Sequence, residues 1–260
     1  MYTTTGTNPG QIGKDRRMTP EQALESLRDN PRYFLKYYPL STAGATDHHV
    51  PNARNPLDFI WYKRAGADAR GKQSHVGASR PVHGLTKLFP KVSLDISSFR
   101  IGRIQFEHGT INHHFQALSV PMDYYDTIST PPLNINAMQA YLLDNAGADD
   151  VMITGQLSGC CFCIRPYAGG LACAHVHPRG YPGGAAAAAA LQTDLTANGH
   201  FAHYPGALTT FGRQNYPEHA TVIGVRSAGT WQIFAQFSNN SHRTLNHPSA
   251  QIYPGPPAPL

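Results

Sequence analysis

Residues 151–178 read VMITGQLSGCCFCIRPYAGGLACAHVHP, and this stretch decides the fold. Residues 161–167 and 171–176 are apolar and rich in strand formers. Ala168-Gly169-Gly170 between them is turn chemistry, so the spacing predicts a β-hairpin. Residues 151–154, Val-Met-Ile-Thr, predict a further strand just upstream. A short run of small residues, Leu157-Ser158-Gly159-Cys160, leads from that strand into the hairpin.

The same signals recur on both sides. Residues 221–225 and 231–237 predict two strands joined by an Ala-Gly turn, and residues 59–62, 92–96, 101–107 and 111–120 predict further extended segments. Helix signals are fewer. Thr19 as N-cap, Pro20 at the first helical position and Gln22 three residues on form a capping box ahead of Ala23, Leu24 and Leu27, and Asn30-Pro31 stops that helix. Residues 136–146 predict a second helix with Met138, Tyr141 and Leu142 on one face and Gly147 as its C-cap. Residues 185–195, alanine-rich with Leu191 and Leu195, predict a third, ending at Asn198-Gly199. Strand-rich segments with a few separated helices predict an α+β fold in which two sheets pack face to face. Residues 1–18 read as a disordered leader, residues 19–246 as a single catalytic domain, and residues 247–260, HPSAQIYPGPPAPL, as a Pro-rich tail that does not pack.

The chain has 260 residues, 41% hydrophobic but only 14% charged, with Gly 24 and Pro 21. That is ample for a hydrophobic core and favours turns and short strands over a helical bundle. No apolar run approaches the ~20 residues of a membrane-spanning helix, and the first residues lack the apolar centre of a Sec-type signal peptide. Of the 21 Lys and Arg residues, 16 lie in residues 1–150. The densest basic region, residues 63–103, is interspersed with Gly, Ser and His and reads as a solvated face rather than a nucleic-acid site. His48-His49 and His113-His114 have no matching Cys or acid pattern and read as solvated or core-edge residues. No phosphate-binding glycine loop and no Gly-x-Ser-x-Gly elbow occurs.

Chemistry concentrates in the hairpin. All four cysteines, Cys160, Cys161, Cys163 and Cys173, lie within 14 residues, and His175 and His177 follow. Three readings compete. A zinc-binding module built on Cys160, Cys163, Cys173 and His175 has enough ligands, but strand alternation sends Cys160 and Cys163 to opposite faces. A disulfide across the hairpin is a second reading, though nothing else marks an oxidising compartment. In the third, Cys160 is a nucleophile at a glycine-bent strand mouth, with an imidazole on the neighbouring strand as its base. The other three cysteines are then buried thiols packing as small hydrophobes. A turn centred on 168–170 sets Cys160 opposite about Pro178. A register one residue different sets His177 opposite and His175 diagonal on the same face.

The string Ile153-Thr154-Gly155-Gln156-Leu157-Ser158-Gly159-Cys160, with a histidine about 15 residues on, resembles the glutamine deamidase toxins with a Leu-Ser-Gly-Cys motif, the family of Burkholderia lethal factor and the catalytic domain of cytotoxic necrotizing factor. The resemblance covers residues 153 to about 178. It implies a β-sandwich of two mixed sheets flanked by helices, with Cys160 as nucleophile, His175 as base and Thr154, six residues before the Cys, as orienting group. Leu157, Ser158 and Gly159 supply the motif and oxyanion region, and His177 stands as the alternative base. It further implies a toxin or effector made in a bacterial cytoplasm, exported without a Sec signal and acting in the host cytoplasm. There it converts a reactive Gln of a host protein, of the translation initiation helicase or Rho-type GTPase class, to Glu. No cofactor, metal, nucleic acid or membrane span is expected, and a monomer is. A transglutaminase or thiol protease would use the same dyad and is the alternative within enzymes.

Overall fold

The computed structural model describes residues 18–42, 45, 56–63, 99–103, 112–126, 140–179, 185–197, 204–238, 249–255 and 258–259. The capping box forms as read: Thr19 Oγ1 accepts from Gln22 N at 3.2 Å and Gln22 Oε1 accepts from Thr19 N at 3.0 Å, opening helix α1 (Pro20–Asp29). Asn30 ends α1 and also caps a second helix, α2 (Pro31–Tyr37), through its side chain on Tyr33 N. The proline that stops one helix thus starts the next, because its missing N–H costs nothing at a first helical position.

Among the described residues, fourteen strands make two mixed sheets. The larger has nine, in the order β1 (Leu40–Ser41), β3 (Phe99–Arg103), β2 (Leu57–Lys63), β4 (Asn112–Val120), β7 (Val151–Thr154), β11 (His219–Ser227), β12 (Thr230–Ser238), β13 (Ala250–Tyr253), β14 (Ala258–Pro259). The smaller runs β10 (Thr209–Phe211), β8 (Cys161–Tyr167), β9 (Gly170–Arg179), β5 (Met122–Asp126), with β6 (Tyr141–Asp144) also paired to β9. The hairpin expected from residues 161–176 is β8–β9, closed by Ala168-Gly169. β11 and β12 form the other expected hairpin, through Ala228-Gly229.

The sheets share an interior. Cys160, Phe162, Ile164, Leu171 and Cys173 of the smaller meet Met152, Val222, Trp231, Ile233, Ala235 and Ile252 of the larger, all buried. This is compatible with a sandwich-like α+β fold. A second cluster sets Leu24, Leu27, Phe34 and Tyr38 of α1, α2 and the residue after it against Phe59, Trp61, Phe99, Ile153 and Phe234. A third joins Cys161, Cys163, Ala174 and Val176 to Leu191 and Leu195 of α3 (Ala185–Ala197). Among the described residues, four strand connections pass between the sheets. β4 leads to β5 through Pro121 alone, β6 to β7 through residues 145–150, β7 to β8 through residues 155–160, and β10 to β11 through residues 212–218.

Two expectations fail. Residues 141–144 are strand, not helix: Leu143 is buried while Leu142 is 48% exposed, a period of two. The spacing of Tyr141 and Leu142 fits a helix on paper, but pairing with Leu171, Ala172 and Cys173 of β9 overrides it. Asp144 to Gly147 is then a turn, with Asp144 Oδ1 accepting from Ala146 N at 2.8 Å. Arg226 holds the turn by donating to the carbonyls of Asn145, Gly147 and Asp149. The second failure is the C-terminal tail. β13 pairs with β12, Ile252 is fully buried and Ser249 Oγ donates to Leu35 O at 2.7 Å, so residues 249–253 belong to the sheet. At the other end, Met18 packs against the core, while residues 1–17 lie outside the described residues. So do the expected strand at 92–96, His48-His49 and most of the basic region.

The junction of β6 with the hairpin gives a sharp expectation. A Cβ on Gly170 would stand 2.0 Å from the Leu143 carbonyl oxygen. Neither backbone can yield without unpairing β6, so Gly170→Ala should lower stability by roughly 3 kcal/mol or more. An unchanged urea midpoint would show that β6 does not dock there.

Candidate active site

The β8–β9 register fixes the geometry. Phe162 pairs with His175 and Cys161 with Val176, so the next pair outward sets Cys160 opposite His177. This is one residue from the simple turn arithmetic, because the loop has two residues rather than three. By alternation Cys160, Phe162, His175 and His177 project from one face of the sheet, and Cys161 and Cys163 from the other. The clusters agree: Cys160 and Cys173 lie in the interior between the sheets, Cys161 and Cys163 beneath Leu191 and Leu195. The donor set Cys160, Cys163, Cys173 and His175 is therefore not assembled. Among the described residues no three His, Cys, Asp or Glu side chains are grouped as metal ligands. All four cysteines are free thiols.

Thr154 and His175 come together. Thr154 ends β7 in the larger sheet, His175 lies on β9 in the smaller, and Thr154 Oγ1 is 2.8 Å from His175 Nδ1. Both are buried. The hydroxyl proton of Thr154 is already donated to Val120 O at 2.6 Å. A hydroxyl has one proton, so towards histidine Thr154 can only accept. His175 is thereby held with its proton on Nδ1 and its lone pair on Nε2, the form a general base requires.

Cys160 sits deeper than a strand mouth. It is only 2% exposed, and burial pushes its thiol up to about 12, with the Ser158 backbone N–H pulling weakly the other way. Its sulfur lies 3.8 Å from Met122 Sδ. The resting group is thus a neutral thiol, not the preformed thiolate that a solvent-facing site would favour. Gly159 adopts φ 156°, a value L side chains rarely take, and it makes the bend that the motif's glycine was expected to allow.

The thiols carry a pH signature. Cys160, Cys161 and Cys173 are all raised above the ordinary 9.0, by burial first in each case. The unfolded chain loses these protons from about pH 9 while the native chain keeps them. The stabilisation is whole below pH 9 and falls as pH rises towards 12, by up to about 1.4 kcal/mol per unit for each thiol. Urea midpoints from pH 8 to 11 test this, and a flat profile would contradict the buried thiols.

One group at the site escaped the sequence reading. Tyr216, 56 residues from Cys160 and buried, accepts from Gly159 N at 2.9 Å and donates to Cys160 O at 2.8 Å. Its position in a turn gave no signal. Leu157, by contrast, bridges to Ala220 of β11 through both backbone groups, and its side chain is fully buried; it anchors the motif rather than reaching the chemistry. Ser158 is exposed at the tip, and His177 is half-buried.

Searches of protein-family models and of curated proteins return no match to the chain. Among the described residues, no helix is long and apolar enough to cross a membrane.

Proposed function

We propose that the chain is a cysteine-dependent protein-glutamine deamidase, a hydrolase of side-chain amides. The observation that carries the reading is the Thr154–His175 hydrogen bond with the Thr154 proton committed to Val120. It supplies a base of defined tautomer on the sheet face that also carries Cys160. The Leu-Ser-Gly-Cys resemblance supplies the reaction class, and α1, α2 and α3 packed on the sheets accord with the helix-flanked sandwich it implies.

His175 Nε2 takes the Cys160 proton as sulfur attacks the carboxamide carbon of a target Gln. The C=O π pair moves to oxygen, and backbone N–H groups of the turn hold that oxyanion. On collapse, imidazolium protonates the departing nitrogen, which leaves as ammonia, and a thioester remains. His175 then deprotonates water, whose attack expels the thiolate. The proton returns to sulfur and Glu is released. Transfer from a neutral thiol to its base during attack suits a site that holds Cys160 uncharged at rest. The recessed thiol also favours a side-chain amide on a slim stem over a main-chain peptide, which a thiol protease would have to admit. The substrate class follows the resemblance: a protein of a host cell, of the translation initiation helicase or Rho-type GTPase class, met after export from a bacterium.

Peptide mass spectrometry of host lysate incubated with the protein tests the reading, with Gln-to-Glu conversion as signal. His175→Ala should slow conversion by about 10²- to 10⁴-fold, and His177→Ala should not. A loss confined to His177→Ala would transfer the base to His177, the partner that ladder arithmetic preferred.

A further inference from the structure

We infer that Tyr216 is a positioning residue that sets the Cys160 backbone N–H as the oxyanion donor of this site. The inference rests on Cys160 being the nucleophile. A single phenol oxygen holds two main-chain groups, accepting from Gly159 N–H at 2.9 Å and donating to Cys160 C=O at 2.8 Å. Between those two tethers lies one peptide unit, the Gly159 carbonyl with the Cys160 N–H. Peptide planes are rigid, so tethering the planes on either side to one atom leaves the middle plane little freedom to turn. The Gly159 N–H is occupied by the phenol, and the Ser158 N–H is directed at the Cys160 sulfur. The Cys160 N–H belongs to the attacking residue itself, so it lies next to the carbon that sulfur attacks.

The phenol is itself held firmly. Its ring packs on Phe211 at 5.8 Å, the Arg213 guanidinium lies over it at 5.7 Å, and Arg213 Nη1 donates to Tyr216 O at 3.0 Å. Asn215 Oδ1 accepts from Gly212 N at 3.1 Å and from Gln192 Nε2, which pins the turn carrying Tyr216 to α3. The same helix supports the nucleophile side, where Ala188 lies 3.9 Å from the Cβ position of Gly159. The turn bearing the phenol and the turn bearing the thiol are therefore braced by one helix. That is what a fixed donor direction requires.

Tyr216→Phe in the full chain tests this, because it removes the oxygen and keeps the ring. Two reagents divide the possible roles. Iodoacetamide alkylates sulfur by displacement and forms no oxyanion; p-nitrophenyl acetate acylates it through a tetrahedral oxyanion. In Tyr216→Phe, acylation of Cys160 should fall by about 10²- to 10³-fold while alkylation changes little. Gln conversion should lose kcat with KM retained. Should that variant not fold, Asn215→Ala keeps the phenol and loosens its turn, and acylation must again fall more than alkylation. Equal losses with both reagents would overturn the inference and leave Tyr216 a packing residue, with the nucleophile assignment intact. Wild-type protein that reacts with both reagents but converts no Gln would sink the deamidase reading and leave Tyr216 in its role. Wild-type Cys160 inert to both would end both.

Discussion

Cys160→Ser should lose Gln conversion by about 10⁴- to 10⁶-fold while keeping the fold. The hydroxyl ionises far above a thiol, and His175 has one lone pair with which to draw off a proton that oxygen yields much less readily. Stability should also drop, because position 160 is buried rather than at an exposed mouth. A buried hydroxyl costs about 1–3 kcal/mol, and the Ser158 N–H that faces the sulfur can offset part of that. Cys161→Ser and Cys163→Ser carry a similar cost on the opposite face, beneath α3, and should keep turnover once corrected for the folded fraction. The measurement is Gln conversion for all three variants beside their thermal melts. Near-normal activity in Cys160→Ser would remove the nucleophile, and matched losses in all three would point to a shared structural role.

Ending the chain at residue 246 should cost several kcal/mol and lower Tm by roughly 10 °C or more, against the expectation that the Pro-rich tail does not pack. The cut removes β13, which covers one edge of β12, and strips Ile252 from the interior, a loss of about 1.5–3 kcal/mol for that side chain alone. It also takes Ser249, which donates to Leu35 O at the end of α2, and Gln251, which accepts from Arg32. Gln236 remains, donating to the carbonyls of Leu35 and Tyr38 and accepting from Leu40 N, so the helix end stays partly satisfied. Differential scanning calorimetry of both lengths decides the matter. Coincident melts would mean that β13 contributes nothing to the sheet.

What the sequence disclosed was local. The Thr19–Gln22 box, the Ala168-Gly169-Gly170 turn and the Leu191/Leu195 spacing each act within a few residues, and each element they foretell is present. Residues 141–144 and 249–253 depart from their local pattern because both are made strands by pairing with β9 and β12. Proline density near the end obscured the short run from Ser249 to Tyr253. At the site, the motif named Cys160 and its offset named Thr154. What distinguishes His175 from His177, two residues on, is a contact from the other sheet, the Thr154 hydroxyl, which no hairpin arithmetic contains. Tyr216 lay beyond reach for the same reason: its bonds are to main-chain atoms, and main-chain atoms leave no mark in composition.

The Thr154–His175 bond joins side chains that belong to different sheets. The imidazole therefore keeps its orientation only while the two layers hold their spacing, and the bond works as a caliper across the sandwich. Thinning the filling between the layers, as Trp231→Ala would do some distance from the sulfur, lets the jaws drift and the ring turn. Damage of that kind should appear as slower turnover before it appears as unfolding. On the proposed mechanism, variants selected for a looser interior would become less active in proportion, since the compression that steadies this fold would also aim His175.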